Sequence, residues 1–223
     1  MQASVAQRLE RQPYKLDVLG PNPSGRTKSE SFLTRRSIFN NYMNKGKYIA
    51  VFCSAAELGK KYIKPAEEFA KLIAENGYHL VWGGSDTGLM KVIADEVQAS
   101  GGDLIGVTIE VYKDVIRKNV TEMIISPSLG ERKATMLVRS DAIVVLAGGI
   151  GTLDEVTEVL ELKKQGKHNK PVVLLNTAHF YDGLKIQLQK MQDEGFMHKP
   201  LGELIFFAGT PEEAIDYINR QLG

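Results

Sequence analysis

The residues best equipped for chemistry fall in two short runs. One is Gly148-Gly149-Ile150-Gly151-Thr152-Leu153-Asp154-Glu155, with Glu158 one turn further on; the other, upstream, is Glu131-Arg132-Lys133. Glycines ahead of a helix leave backbone N–H groups pointing outward with no Cβ in the way, which suits a phosphate or another anion. The helix dipole adds partial positive charge at that end. Glu155 and Glu158 lie three apart and share a face, so at least one of them can reach a ligand held by the glycines. Asp154 has a plainer explanation as solvated helix surface. Arg132 and Lys133 at a helix start oppose the dipole preference. Two readings stay open for them: an exposed helix start, or cations meeting an anion in a crevice, where arginine suits forked contacts.

The elements that would position these groups follow a regular pattern. Ala142 to Ala147 is uncharged and mostly aliphatic, as in a fully buried parallel strand, and an apolar pattern of helical period begins at Thr152. Leu153, Val156, Val159 and Leu160 form the apolar face of that helix, while Asp154, Glu155, Glu158 and Glu161 make up much of the remainder. Upstream come a strand at Tyr48–Cys53, a helix from about Tyr62 to Asn76 with Pro65 in its first turn, a strand at Tyr78–Trp82 and a helix at Leu89–Ser100. Strands at Leu104–Thr108 and Glu122–Ile125 flank a charged stretch, and a helix at about Glu131–Ser140 leads into the Ala142–Ala147 strand. Downstream are strands at Val172–Leu175 and Leu204–Phe207 and a helix at Tyr181–Asp193. A last helix opens with Thr210, Pro211 and Glu213 as a capping box. Strands alternate with helices throughout, which predicts an α/β fold: a doubly wound, mostly parallel, Rossmann-like sheet. Ligands of such sheets bind beyond the C-terminal strand ends, where both glycine turns, Gly83-Gly84 and Gly148–Gly151, fall.

The totals exclude several classes. A formal charge of +1 over 223 residues argues against a protein built mainly for nucleic acid. The charge is uneven, with nine Lys/Arg against three Asp/Glu in residues 1–47 and 19 against 24 in the rest. Gly20–Gly25 is turn chemistry, so residues 1–46 read as an N-terminal extension, with a short helix around Ser31 to Met43, and 47–223 as one nucleotide-binding domain. Cys53 is the single cysteine, in a run where a buried thiol is the default. No stretch reaches membrane-spanning length and no secretory apolar segment opens the chain, so a cytoplasmic location is expected. His79, His168, His179 and His198 have no metal-ligand spacing, Trp82 reads as core, and neither a P-loop nor a G-x-G-x-x-G fingerprint is present. A single phosphate therefore fits better than a dinucleotide.

The run G-G-I-G-T-L-D-E (Gly148–Glu155) resembles the P-G-G-x-G-T-x-x-E motif of the Lonely Guy (LOG) family. Glu131–Met136, E-R-K-A-T-M, resembles that family's R-K-A-x-M block, and Gly83–Met90, G-G-S-D-T-G-L-M, its first glycine loop. Val51–Ser54, Asn169–Asn176 and Glu194–Phe196 also fit, so the resemblance runs in order from Tyr48 to Pro200. It implies hydrolysis of a nucleoside 5′-monophosphate, of the AMP or cytokinin riboside type, to free base and ribose 5-phosphate. Many members carry the label lysine decarboxylase, although nothing here resembles a pyridoxal phosphate site. The resemblance further implies catalytic roles for Arg132 and Glu155 and a phosphate cradle of Gly148, Gly149, Gly151 and Thr152. Ligand contacts would come from Lys133, Gly84, Ser85, Ser54, Met136 and Glu158. No cofactor, metal, membrane or nucleic-acid partner is implied, and a homodimer or larger homo-oligomer is. Ala147 departs from the motif proline, Ser85 from a third glycine, and Ala55 and Ala56 from polar residues after the first strand. A non-catalytic binder or carrier of a phosphorylated ligand is the competing class, since molybdenum-cofactor carriers look like a related fold with similar glycine turns.

Overall fold

A computed structural model describes residues 46–223; the expectations for residues 1–45 lie outside them. Seven strands form one sheet in the order β4-β3-β2-β1-β5-β6-β7, every neighbouring pair parallel. They are β1 Lys47–Phe52, β2 Tyr78–Trp82, β3 Leu104–Ile109, β4 Glu122–Ser126, β5 Ala142–Val145, β6 Val172–Leu175 and β7 Phe206–Ala208. The helices are α1 Lys60–Glu75, α2 Gly88–Ala99, α3 Leu129–Val138, α4 Ile150–Lys164, α5 Asp182–Asp193, α6 Leu201–Leu204 and α7 Pro211–Leu222. The doubly wound α/β class expected from the alternation is what forms. Among the described residues, no helix is long and apolar enough to cross a membrane.

Side-chain alternation along buried strands explains the three layers. Ile49, Val51 and Cys53 face one side with Phe69 and Ile73 of α1, Ile93 of α2 and Ile218 of α7. Ala50 and Phe52 face the other with Met136 of α3, Val156 and Val159 of α4, and Leu188 of α5. Trp82 is fully buried, and its indole N–H donates to the Ser85 carbonyl at 3.3 Å. The winding changes direction between β1 and β5, so the loops leaving these two strands diverge and open a crevice at their C-terminal ends.

Several boundaries differ from the sequence reading by a residue or two, and four of the differences have a clear local reason. Helix α1 starts at Lys60 after Gly59, which puts Pro65 in the second turn rather than the first. Helix α3 starts at Leu129, because Ser128 caps it by accepting from the Glu131 amide at 3.2 Å; Arg132 and Lys133 therefore follow the first turn and do not oppose the dipole. Helix α4 starts at Ile150 with Gly149 as its N-cap residue, and Glu155 falls on its buried face instead of the solvated one. The strand expected at Leu204–Phe207 divides into a helical turn, which buries both Leu201 and Leu204, and the later strand Phe206–Ala208. At α7, Thr210 accepts from the Glu213 amide as expected. The Glu213 carboxylate, however, reaches back to the Gly209 N–H, one residue beyond the usual box.

Candidate functional site

The crevice at the β1/β5 divergence holds a cavity of about 410 Å³. The loop after β1 brings Cys53, Ser54 and Ala55 to it, the turn after β2 brings Gly83 and Ser85, and α4 brings Gly149, Gly151, Thr152 and Glu155. The exits of β1 and β5 are tied together, since the Ser54 N–H donates to the Ala147 carbonyl at 3.2 Å and Leu146 N–H to Phe52 at 2.9 Å.

At the mouth, the Leu153 amide is the first of α4 to find a helical acceptor, the Gly149 carbonyl at 3.0 Å. The amides of Ile150, Gly151 and Thr152 precede it and have no acceptor within the helix, so they are available to an anion. Gly149 and Gly151 have open space where a Cβ would stand, and neither has a positive φ. Gly148 is different. A Cβ there would lie 2.1 Å from Thr152 Oγ1, so this glycine makes room for the threonine hydroxyl rather than for a ligand.

Deeper in the crevice, Arg132 and Glu155 form a buried ion pair, 7% and 6% exposed. Arg132 Nη1 donates to Glu155 Oε1 at 2.6 Å, and its Nε donates to the Val107 carbonyl at 2.8 Å. A Cβ on Gly83 would come within 2.5 Å of Arg132 Nη2, so the first glycine turn is what lets the guanidinium in. Burial pushes the Glu155 carboxyl above the ordinary glutamate value, while Arg132 pulls it back down. Beside the pair, Lys133 bonds Asp154 at 2.8 Å and Glu158 at 2.5 Å. Burial acts to lower the Lys133 pKa, but those two carboxylates outweigh it and the net shift is upward. Lys133 therefore stays charged.

Of the residues singled out from sequence, Ser54, Ser85, Arg132, Lys133, Gly149, Gly151, Thr152 and Glu155 line the cavity. Gly84, Gly148, Met136 and Glu158 do not. Met136 is fully buried in the core behind Arg132, Glu158 serves Lys133, and Gly84 takes φ +77° against Met123. One part of the site was missed by sequence reasoning. The charged stretch after β3 forms a 3-10 turn at Glu110–Val115 that places Tyr112 and Val115 on the cavity wall. A bridge between Ser85 and Ile116 anchors it, with Arg117 ion-paired to Asp86 and Asp95. The only signal in the sequence was the alternation of apolar and charged residues there. Met90 and Leu129 extend the same apolar wall.

The chain is similar to proteins of known family. A family described as "possible lysine decarboxylase" matches residues 90–218. The cytokinin riboside 5′-monophosphate phosphoribohydrolase of Mycobacterium tuberculosis is 32% identical over 169 residues, 75% of this chain and 90% of that protein. A probable enzyme of the same name from Oryza sativa subsp. japonica is 38% identical over 175 residues, 77% of this chain and 76% of its own. Among solved structures, the molybdenum cofactor carrier protein from Chlamydomonas reinhardtii superposes with a TM-score of 0.62 at 28% identity, covering 79% of this chain and 98% of that one. The molybdenum cofactor binding protein from Rippkaea orientalis gives 0.65 at 23% identity over 81% and 99%, a likeness of fold.

Proposed function

The chain belongs to the LOG family, and from that membership we propose that it hydrolyses the N-glycosidic bond of a nucleoside 5′-monophosphate, releasing base and ribose 5-phosphate. The observation that carries this reading is the buried Arg132–Glu155 pair set one helical turn behind the open amides of α4. The 5′-phosphate sits on the amides of Gly151 and Thr152 with the Thr152 hydroxyl, a contact remote from the reacting carbon that fixes the ribose. Thr152 and Glu155 are three apart on α4 and share a face, so a sugar anchored at one lies over the other. As the bond from C1′ to the base nitrogen breaks, its electrons leave with the base and positive charge grows on the ribose ring. The Glu155 carboxylate stabilises that charge; it also takes a proton from the water that adds to C1′, and that proton returns to the departing base. Burial favours the neutral acid at Glu155, and Arg132 opposes that by favouring the carboxylate.

Met90, Tyr112, Val115 and Leu129 line the same cavity as the charged residues and supply an apolar seat for the base. That supports a purine, including one with an aliphatic substituent of the cytokinin type. Exposed Val111, Leu129 and Ile150 around the mouth support a homodimer that covers it; Ile150 is 82% exposed at the tip of α4. Lysine decarboxylation fits poorly. Lys133, the lysine on the cavity wall, is held charged by two carboxylates, whereas a Schiff-base lysine must reach its neutral form.

The reading is tested by chromatography of free base after incubation with AMP, other purine and pyrimidine monophosphates and isopentenyl-AMP. The parent should release base, and Glu155→Gln should do so about 10³-fold more slowly. Binding of a monophosphate without turnover of any would sink the hydrolase. It would favour the second reading, a carrier of a phosphorylated ligand, which the likeness to molybdenum-cofactor carriers supports.

A further inference from the structure

The same helix that carries Glu155 carries a second cation into the interior at its other end. Glu155, Val159 and Lys163 follow one another at i, i+4 and i+8 on the buried face of α4, which sets Lys163 about 12 Å along the axis from Glu155. Lys163 is 8% exposed, yet its ammonium has no hydrogen-bond or ion-pair partner among the described residues. Its neighbour Lys164 pairs with Glu161 at 2.6 Å, and as a half-buried last-turn cation it already complements the helix dipole. An inward-turned lysine with no acceptor is costly, so the structure needs a reason to keep it.

That reason is a second cavity, about 380 Å³, lined by Lys163, Asn169, Lys199, Glu203, Tyr217 and Gln221. Lys199 Nζ donates to the Lys163 main-chain carbonyl at 3.2 Å, which holds two ammonium groups at one opening. Burial, and then the charge of Lys199, keep the Lys163 pKa below the ordinary lysine value. His168, whose ring bonds the Val159 carbonyl at 3.0 Å, feels Lys163, Lys170 and Lys199 together. Glu203 lines the cavity but forms an ion pair with neither lysine among the described residues. Two ammonium groups and the amide donors of Asn169 and Gln221 stand against a single carboxylate, so the lining is net positive and suited to an anion.

We propose that this cavity is a binding site for a phosphate dianion, free or as the phosphomonoester of a sugar, separate from the crevice at the β1/β5 divergence. Two ammonium groups and two side-chain amides, with Glu203 the one carboxylate beside them, supply more donors than a lone carboxylate can use and suit the several oxygens of a phosphate.

The test is thermal unfolding and calorimetric titration with inorganic phosphate and, separately, ribose 5-phosphate. It uses the parent, Lys163→Met, Lys199→Gln, Arg132→Ala and the double variant Arg132→Ala/Lys163→Met. Without ligand, Lys163→Met should melt no lower than the parent, since it replaces a partly desolvated ammonium that has no partner with an apolar side chain of similar length. Arg132→Ala should keep a phosphate-induced rise in Tm. The double variant should lose it, with binding weakened about 30-fold or more. Lys199→Gln should weaken the same binding independently. Tighter binding of ribose 5-phosphate than of phosphate identifies the sugar ester as occupant, and equal binding identifies the free ion. An undiminished phosphate response in Lys163→Met and in the double variant would overturn the site.

Discussion

The two glycine turns leave β2 and β5, the strands on either side of β1, at the same edge of the sheet, yet their glycines answer different needs. In the turn after β2, each glycine is there for the protein itself. Gly83 admits the Arg132 guanidinium, Gly84 takes φ +77° over Met123, and Gly88, at φ +54°, lets the Ala55 backbone pass within 2.4 Å of where a Cβ would be. In the turn after β5, only Gly148 has such a duty. Gly149 and Gly151 have ordinary backbone angles and empty space beside them, so nothing in the fold demands glycine at either position. Glycines that the fold can do without, placed over free helix amides, point to something that must approach from outside. The contrast separates the turn that builds the site from the turn that receives the ligand.

The sharpest way to break this comparison is to add one methyl group on each side of it. Gly88→Ala should cost about 3 kcal/mol or more, combining a left-handed backbone with a collision against main chain, and urea unfolding would read it. Gly83→Ala should lower kcat/KM by about 10²-fold through a displaced Arg132, with a smaller stability loss of about 1–2 kcal/mol. Gly151→Ala should reverse the sign of the stability effect but still impair the reaction. Its stability should rise by about 0.5–1 kcal/mol, as for an unstrained helix glycine, while KM rises about tenfold because the methyl occupies the phosphate seat. If Gly151→Ala destabilises the fold, or leaves KM untouched, the distinction between the turns fails.

A gentler probe uses pH. Burial raises Glu155, so its working carboxylate forms at higher pH than that of an ordinary glutamate. The acid limb of kcat/KM should therefore have its midpoint above the ordinary value of 4.5. The negative charge of Asp154 adds to that upward shift, so Asp154→Asn should move the midpoint down, a small effect in the opposite direction. An acid limb at or below the ordinary value would detach the profile from Glu155.

How far the chain could be read in advance depended on the range of the interaction involved. The strand cores, the parallel winding and the ends of α2 and α5 were legible because period and composition are local properties. The starts of α3 and α4 were misplaced by two residues. There the deciding contacts were a Ser128 cap and a glycine N-cap position, which compete with the apolar pattern. The Glu110–Val115 turn was read only as a charged stretch, because Arg117 finds Asp86 and Asp95 across a loop no periodicity connects.

By itself, the sequence determined the order of elements, the two glycine turns and which residue types stand near them, since these follow from spacing along one chain. Tertiary structure alone decided that Glu155 is buried against Arg132 rather than solvated, that Gly83 serves Arg132 and Gly148 serves Thr152, and that Met136 is core and Glu158 a partner of Lys133. The physical reason is that burial and ion pairing depend on which surfaces the sheet brings face to face. Here the reversal of winding between β1 and β5 brings α3 and α4 together, and no local pattern records that meeting.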